Sequence, residues 1–184
     1  MEIATIRSLK PSVSRDDAIR AFSFRGFANS FWQMRNGPLQ RIADAYVPCW
    51  FYRVRYELGS TTQTRFFALD AVDGSLDLFE FPRLPGPQEF LPIETRNFLR
   101  PSLTEARAEE LLRGKILRVI FQQGFFKLRD RGLVIVREPV ELHLPYWLGF
   151  YGARGVVRCR VMDAVRRRVE GARASAFFEQ WLAA

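Results

Sequence analysis

The stretch Pro48-Cys-Trp-Phe-Tyr-Arg-Val-Arg-Tyr-Glu-Leu58 decides the fold. Its large apolar residues fall on every second position, from Trp50 to Tyr56, and the positions between them carry Arg53, Arg55 and Glu57. A period of two in aromatic and β-branched residues predicts a half-buried strand. The polar segment 59–63 predicts a hairpin loop, so residues 65–71 are expected to return antiparallel to the first strand.

Three short motifs of the first half recur in the second half in the same order. Pro11-Ser-Val-Ser14 returns as Pro101-Ser-Leu-Thr104, Pro48-Cys-Trp50 returns as Pro145-Tyr-Trp147, and Asp70-Ala-Val72 returns as Asp163-Ala-Val165. Chance easily supplies one such match, but not three in register with the same predicted elements. The recurrence predicts an internal duplication.

Three amphipathic helices are predicted. Ser14 fits the N-cap of the first helix, with Asp17 as its capping-box partner. Each helix is recognised by apolar residues at three- and four-residue spacing. These stripes are Ala21, Phe24, Phe27, Ala28 and Phe31 in the first helix; Ala108, Leu111, Leu112, Ile116, Val119 and Ile120 in the second; and Ala174, Phe177, Phe178 and Trp181 in the C-terminal one.

The predicted fold class is α+β. It consists of two repeated units, each a helix with a three- or four-stranded antiparallel sheet, followed by a C-terminal helix. The first unit covers residues 1–81 and the second covers residues 102–184. Residues 82–101 contain five of the ten prolines and are predicted to be the linker, because proline lacks an amide donor and fixes φ.

Composition restricts the class of protein. Of the 184 residues 48% are hydrophobic, with 17 Phe and 4 Trp, which predicts a globular chain. Two cysteines without a CxxC motif and one histidine, His143, argue against a disulfide scaffold and a zinc site, and no cofactor is predicted. The N-terminus lacks a secretory signal and no long apolar run exists, so the sequence predicts a cytoplasmic protein without a membrane partner.

The first half resembles the PepSY family. The resemblance rests on Ser14-Arg-Asp-Asp-Ala18, on Phe51-Tyr-Arg-Val-Arg-Tyr-Glu57, and on Arg65-Phe-Phe-Ala-Leu-Asp-Ala-Val-Asp-Gly74. It covers residues 12–81 and, less closely, 102–170, where Arg167 stands in place of the turn glycine. The resemblance implies a small helix-and-sheet domain with an inhibitory or regulatory role rather than an enzymatic one.

The arginines on the predicted strands are the first candidate binding residues. Arg53, Arg55, Arg158 and Arg160 are predicted to share one basic sheet face. The formal net charge of +8 is spread thinly along the chain, apart from Arg166-Arg-Arg168, whereas nucleic-acid arms concentrate charge. A non-enzymatic module that binds an unknown protein partner through a sheet face or edge is therefore favoured. A nucleic-acid-binding protein that uses the same arginines is the second alternative.

Asp70 and Asp163 carry the enzymatic alternative. They end equivalent strands, and as a carboxylate pair beside an apolar cavity they would bind a small ligand or act as acid and base. The competing interpretation, which is favoured, is that each accepts hydrogen bonds from the amides of its own turn. No glycine-rich phosphate loop or other catalytic motif appears, and no catalytic residue is predicted.

Overall fold

The computed structural model describes residues 3–23, 34, 36–58, 61–122, 132–153 and 156–183. It is mostly β, with 48% strand and 28% helix. The strands are β1 (Ala4–Leu9), β2 (Leu39–Leu58), β3 (Thr61–Asp70), β4 (Phe79–Phe81), β5 (Phe90–Thr95), β6 (Val134–Ala153), β7 (Val156–Asp163) and β8 (Arg168–Val169). The helices are α1 (Arg15–Ser23), α2 (Glu105–Gln122) and α3 (Ala172–Ala183), with a 3-10 turn at Pro87–Glu89.

The eight strands found among the described residues belong to one mixed sheet. Its order is β4-β3-β2-β6-β1-β5, and β7 pairs with both β6 and β8. The two 20-residue strands β2 and β6 are neighbours, and each one turns back into a hairpin. Trp50 pairs with Leu69 in the β2–β3 hairpin, and Trp147 pairs with Met162 in the β6–β7 hairpin.

A proline lies inside each long strand, where the flanking partner of the strand changes. Before Pro48, Tyr46 bridges Phe98 in parallel; after it, Cys49 pairs with Asp70 antiparallel. Before Pro145, His143 pairs with Ser8 in parallel; after it, Tyr146 pairs with Asp163 antiparallel. The missing amide of each proline therefore falls where one ladder ends and the next begins.

The chain divides into two compact units, each discontinuous in sequence. Unit 1 comprises Met1–Val47, Leu91–Leu99 and His143–Ala184, and unit 2 comprises Pro48–Phe90 and Arg100–Leu142. Each unit therefore combines segments from both halves of the chain.

In unit 1, helix α1 packs on the β6–β7 hairpin. Phe22 belongs to a core cluster with Tyr151 and Met162, and the Tyr151 hydroxyl donates to the carbonyl of Phe22 at 2.9 Å. Gly149 permits the close approach, because a Cβ there would lie 2.9 Å from the Phe22 ring. The amides of Ser12 and its neighbour Val13 both donate to the Ala164 carbonyl, at 2.8 and 3.1 Å.

In unit 2, helix α2 packs on the β2–β3 hairpin. Ala108, Leu112 and Ile116 are fully buried against the strand residues Trp50, Tyr52, Val54, Tyr56, Phe67 and Leu69. The amides of Ser102 and Leu103 donate to the Ala71 carbonyl, both at 2.9 Å. This repeats the contact that Ser12 and Val13 make with Ala164.

The predicted α+β fold class of two repeated units is therefore wrong. The strands form one mixed sheet, and the helix that opens each half packs on the hairpin of the other half. The recurring motifs lie at equivalent contacts between the start of a helix and the turn after a hairpin. In neither half, however, does the helix pack on the hairpin of its own half. The predicted linker also contains the edge strand β5, where Pro92 is tolerated.

Several local predictions are confirmed. The alternating residues from Trp50 to Tyr56 are buried, and so are the predicted faces of α2 and α3 at Leu112 and Phe178. In α1 the Asp17 amide donates to Ser14 Oγ at 3.1 Å and the Ser14 amide donates to Asp17 Oδ2 at 3.3 Å, which completes the capping box. The predicted stripe residues Phe24, Phe27, Ala28 and Phe31 lie outside the described residues.

Candidate protein-binding surface

Asp70 holds the turn that follows β3. Its Oδ1 accepts the amides of Asp73 and Gly74 at 3.1 and 2.8 Å, and its Oδ2 accepts the amide of Leu76 at 2.9 Å. Burial raises the pKa of the Asp70 carboxyl, and the three amide hydrogen bonds oppose that shift. Both carboxylate oxygens are therefore engaged by the turn that Asp70 begins.

Asp163 holds the equivalent turn after β7. Its Oδ1 accepts the amides of Val165 and Arg166, each at 2.8 Å, and its Oδ2 accepts Arg166 Nε at 2.6 Å. Asp163 is buried in unit 1, while Asp70 is buried in unit 2. Each carboxylate thus has a complete local hydrogen-bonding role that requires no substrate.

Arg53 and Arg55 lie on the face of the unit 2 sheet that points away from α2. Arg53 Nε donates to Glu138 Oε1 of β6 at 2.6 Å, although 44% of the Arg53 side chain remains exposed. Arg55 is exposed, pairs across the strands with Thr64, and forms no ion pair with another described residue. Both side chains reach solvent on the antiparallel β2–β3 pair, and such pairs commonly have one solvated face.

Two valines join these arginines on the same face, and the sequence reasoning missed them. Because side chains alternate along a strand, Val134 and Val136 share the side of Glu138, while Leu133 and Ile135 pack on the core under α2. Val134 is 51% exposed and Val136 is 47% exposed. The run Leu133-Val-Ile-Val136 is apolar throughout, so these four residues alone do not show which of them face the core. Only the alternation of side chains, continued to Glu138, places Val134 and Val136 on the solvent side. Arg53, Arg55, Thr64, Val134 and Val136 are here called the outer face.

Arg158 and Arg160 occupy a different environment in unit 1. Arg158 pairs across the hairpin with Tyr151 and Arg160 pairs with Gly149, so both lie on the side of the hairpin that α1 covers. Arg158 is exposed, with Nη1 3.8 Å from Glu179 Oε2, and Arg160 is half-buried. The two arginine pairs thus occupy opposite faces of their hairpins relative to the packed helix.

Arg137 ties β6 to both the hairpin and the helix of unit 2. Its guanidinium lies 4.3 Å from the centre of the Trp50 ring, an ideal range for a cation–π contact. The same group forms ion pairs with Glu105 at the start of α2 and with Glu141. These contacts connect β6 to the β2–β3 hairpin and to α2, the elements that lie behind the outer face.

The thiols of Cys49 and Cys159 are both buried. Burial raises the pKa of Cys159 to about 12, and the nearby Glu179 carboxylate adds to the shift. Cys49 is 2% exposed. A buried thiol with a raised pKa behaves as an apolar side chain rather than as a nucleophile.

Two classes of site are not found in the described part of the chain. No three His, Cys, Asp or Glu side chains there lie close enough together to hold a metal ion. Among the same residues, no helix has the length and apolar character needed to cross a membrane.

Comparisons with models of protein families, with curated proteins and with solved structures gave no match to this chain. The resemblance to the PepSY family therefore stays a prediction.

Proposed function

We propose that this protein is a non-enzymatic, cytoplasmic binding module that recognises a protein partner through the outer face of unit 2. The observation that carries the proposal is the exposure of Val134 and Val136 on the same face of the unit 2 sheet as the exposed Arg55. Apolar patches next to arginine are typical of protein interfaces, where arginine is enriched and lysine is depleted.

The engagement of Asp70 and Asp163 in their own turns supports a binding role over a catalytic one. An acid–base pair requires carboxylate oxygens that reach a substrate. The regulatory role that the PepSY resemblance implies agrees with this proposal. The nucleic-acid alternative has less support at these arginines, because Arg53 is paired with Glu138 and Arg158 lies near Glu179.

The proposal is tested with one surface variant and one matched control. The variant carries Val134→Ser, Val136→Ser and Arg55→Glu. The control carries Val157→Ser, which changes an equally apolar side chain, 62% exposed, in unit 1. A partner captured from the native host is identified, purified, and titrated against wild type, variant and control by calorimetry.

The outer-face variant is expected to weaken binding by about tenfold or more, as loss of central interface contacts does. The Val157→Ser control is expected to bind like wild type. Equal affinity of the outer-face variant and wild type would refute the proposed surface, and an equal loss in the control would show that the effect is not specific to it.

A further inference from the structure

The net charge of the chain is concentrated in unit 1. Its three segments contain 15 Lys or Arg and 8 Asp or Glu, a net +7, whereas the two segments of unit 2 contain 13 and 12, a net +1. Each unit joins segments that are far apart in the sequence, so a count along the chain does not show this difference. A strongly basic unit in a chain whose other unit is nearly neutral indicates an anionic partner.

The turn after β7 and the start of α1 bring cations of unit 1 together. The amides of Ser12 and Val13 both donate to the Ala164 carbonyl, and Ser12 Oγ donates to the Val165 carbonyl at 2.6 Å. Three exposed cations lie two or three residues from this contact, so at about 3.6 Å per residue each Cα is within about 11 Å of a residue that makes it. These cations, here called the basic turn, are Lys10, Arg15 and Arg167.

The anions of the same segments are largely neutralised by neighbouring cations. Three of them are held in the ion pairs Asp163–Arg166, Glu170–Arg166, Glu170–Arg168 and Asp17–Arg20. Within residues 10–20 and 163–173, only the exposed Asp16 is an anion without an ion pair to another described residue. The three cations of the basic turn form no such pair either, and Arg173 at the start of α3 is likewise exposed and unpaired. Cations are therefore in excess at this surface.

The backbone at Arg167 supports a role for its charge. Arg167 lies at φ 59°, in the left-handed region that disfavours side chains. The equivalent turn of unit 2 has Gly74 at φ 69°, a conformation that glycine adopts without strain. Strained residues are found where a side chain serves a function, and here the side chain is an exposed guanidinium.

We propose that unit 1 binds the phosphate backbone of double-stranded nucleic acid through the basic turn. Arginine can donate two parallel hydrogen bonds to one phosphate, and contacts with phosphates carry no sequence information. Residues 10–20 and 163–173 contain no aromatic side chain on which an unpaired base could stack, which favours a duplex over a single strand. They also contain no exposed large apolar side chain, so they offer no anchor for a membrane.

This binding is located in unit 1 and does not depend on the proposed function of the outer face, which belongs to unit 2. Each phosphate that a cation neutralises releases counterions, so the logarithm of the binding constant falls with the logarithm of the salt concentration by about 0.9 per contact. The three cations of the basic turn are therefore expected to contribute about −2.7 to that slope.

The test is fluorescence anisotropy with a labelled DNA duplex of mixed sequence at several salt concentrations. The basic-turn variant of the full chain carries Lys10→Gln, Arg15→Gln and Arg167→Gln. Glutamine keeps a Cβ at position 167, so the strain in the turn is unchanged and the effect of the charge is isolated. The variant is expected to bind the duplex at least about tenfold more weakly at low salt, with a salt slope shallower by about 2 to 3.

A matched control removes three cations from unit 2. It carries Arg83→Gln, Arg107→Gln and Arg118→Gln, all at exposed positions, so its net charge equals that of the basic-turn variant. The control is expected to keep the wild-type salt slope, because none of its substitutions removes a phosphate contact. Circular dichroism checks that both variants fold. An equal loss of affinity and slope in both would assign the binding to net charge alone and overturn the proposal.

A gain of affinity provides a second, independent measurement. Asp16→Asn removes the one unpaired anion of these segments and is expected to strengthen duplex binding by about twofold or more. Poly-glutamate at the same charge concentration is expected to displace little of the duplex. An unchanged salt slope in the basic-turn variant, weaker binding by Asp16→Asn, ready displacement by poly-glutamate, or tighter binding to anionic lipid vesicles or to single-stranded DNA would each overturn the proposal.

Discussion

Arg167 and Gly74 occupy equivalent turn positions with nearly the same backbone conformation, at φ 59° and φ 69°. Gly74 adopts this conformation without a steric penalty, while Arg167 has a Cβ that crowds the backbone. Space differs as well, because a Cβ at Gly74 would lie 2.6 Å from Cδ1 of Leu111 on α2. Replacing Arg167 by glycine is therefore expected to stabilise its turn, whereas replacing Gly74 by a larger residue is expected to destabilise its turn.

Arg167→Gly is expected to raise the free energy of unfolding by about 0.5 kcal/mol. Relief of the left-handed strain contributes about 1–2 kcal/mol, and the greater freedom of glycine in the unfolded chain opposes it by about 0.5–1 kcal/mol. Gly74→Ala is expected to lower the free energy of unfolding by about 1–2 kcal/mol, since strain and the contact with Leu111 act together. Urea denaturation of the two variants checks both signs; a stabilised Gly74→Ala would contradict the described turn.

The thiols of Cys49 and Cys159 are expected to resist alkylation in the folded protein. Burial keeps reagent away from both, and the pKa of Cys159, raised to about 12, leaves almost no thiolate near pH 8. Thiol titration is expected to detect both cysteines only after denaturation. Fast labelling of the native protein, at a rate independent of denaturant, would show that these side chains are not in the core.

At the scale of elements, the capping box of α1 makes its stability depend on pH. Hydrogen bonds from Ser14, together with Arg20, lower the pKa of Asp17 from 3.8 to about 2. A carboxylate whose pKa is lowered by folding stabilises the folded state above its unfolded pKa, and this contribution is lost as pH falls through the folded pKa.

Asp17→Asn is therefore expected to be less stable than wild type at pH 5, and the difference is expected to vanish as the pH falls from 3.8 to about 2. Urea midpoints measured across this range provide the check. Ser14→Ala, which removes the leading hydrogen-bond partner of Asp17, is expected to show a flatter pH profile than wild type. A constant gap between Asp17→Asn and wild type at every pH would rule out this role for the carboxylate.

Most individual elements were predictable because their signals are local. The period of two from Trp50 to Tyr56 and the capping box at Ser14 each lie within one element and are confirmed. The part of β2 from Pro48 to Leu58 was predicted, but the continuation of β2 through Pro48 and of β6 through Pro145 was not predictable, because proline ordinarily ends a strand. Here each proline lies where the strand changes neighbours, and only the three-dimensional ladder shows that.

At the scale of the whole molecule, the exchange of helices between halves was not predictable from the apolar pattern. The buried residues of α1, Ala18 and Phe22, were not in its predicted stripe, while Leu112 was in the predicted stripe of α2; each helix packs on an apolar hairpin face. Two helices and two hairpins of similar pattern allow either pairing.

The outer face was predictable only in part. Arg53 and Arg55 were identified from the alternation of β2, and both reach solvent on the face away from α2. Val134 and Val136 on the same face belong to β6, which Arg53 meets at Glu138, 85 residues along the chain. The alignment of β2 with β6 is a long-range pairing that no local signal specifies.

The most direct test of the account asks which turn lies against the start of each helix. Ser12 Oγ donates to the Val165 carbonyl at 2.6 Å, and Ser102 Oγ donates to the Val72 carbonyl at 2.6 Å. Two double variants, Ser12→Cys with Val165→Cys and Ser102→Cys with Val72→Cys, are oxidised in the folded state and mapped by non-reducing mass spectrometry. Both are expected to cross-link, because backbones in hydrogen-bonding contact are close enough for a disulfide. Two further double variants, Ser12→Cys with Val72→Cys and Ser102→Cys with Val165→Cys, are expected to stay uncross-linked. Cross-linking of these two in place of the first two would contradict the exchange of helices between the two halves.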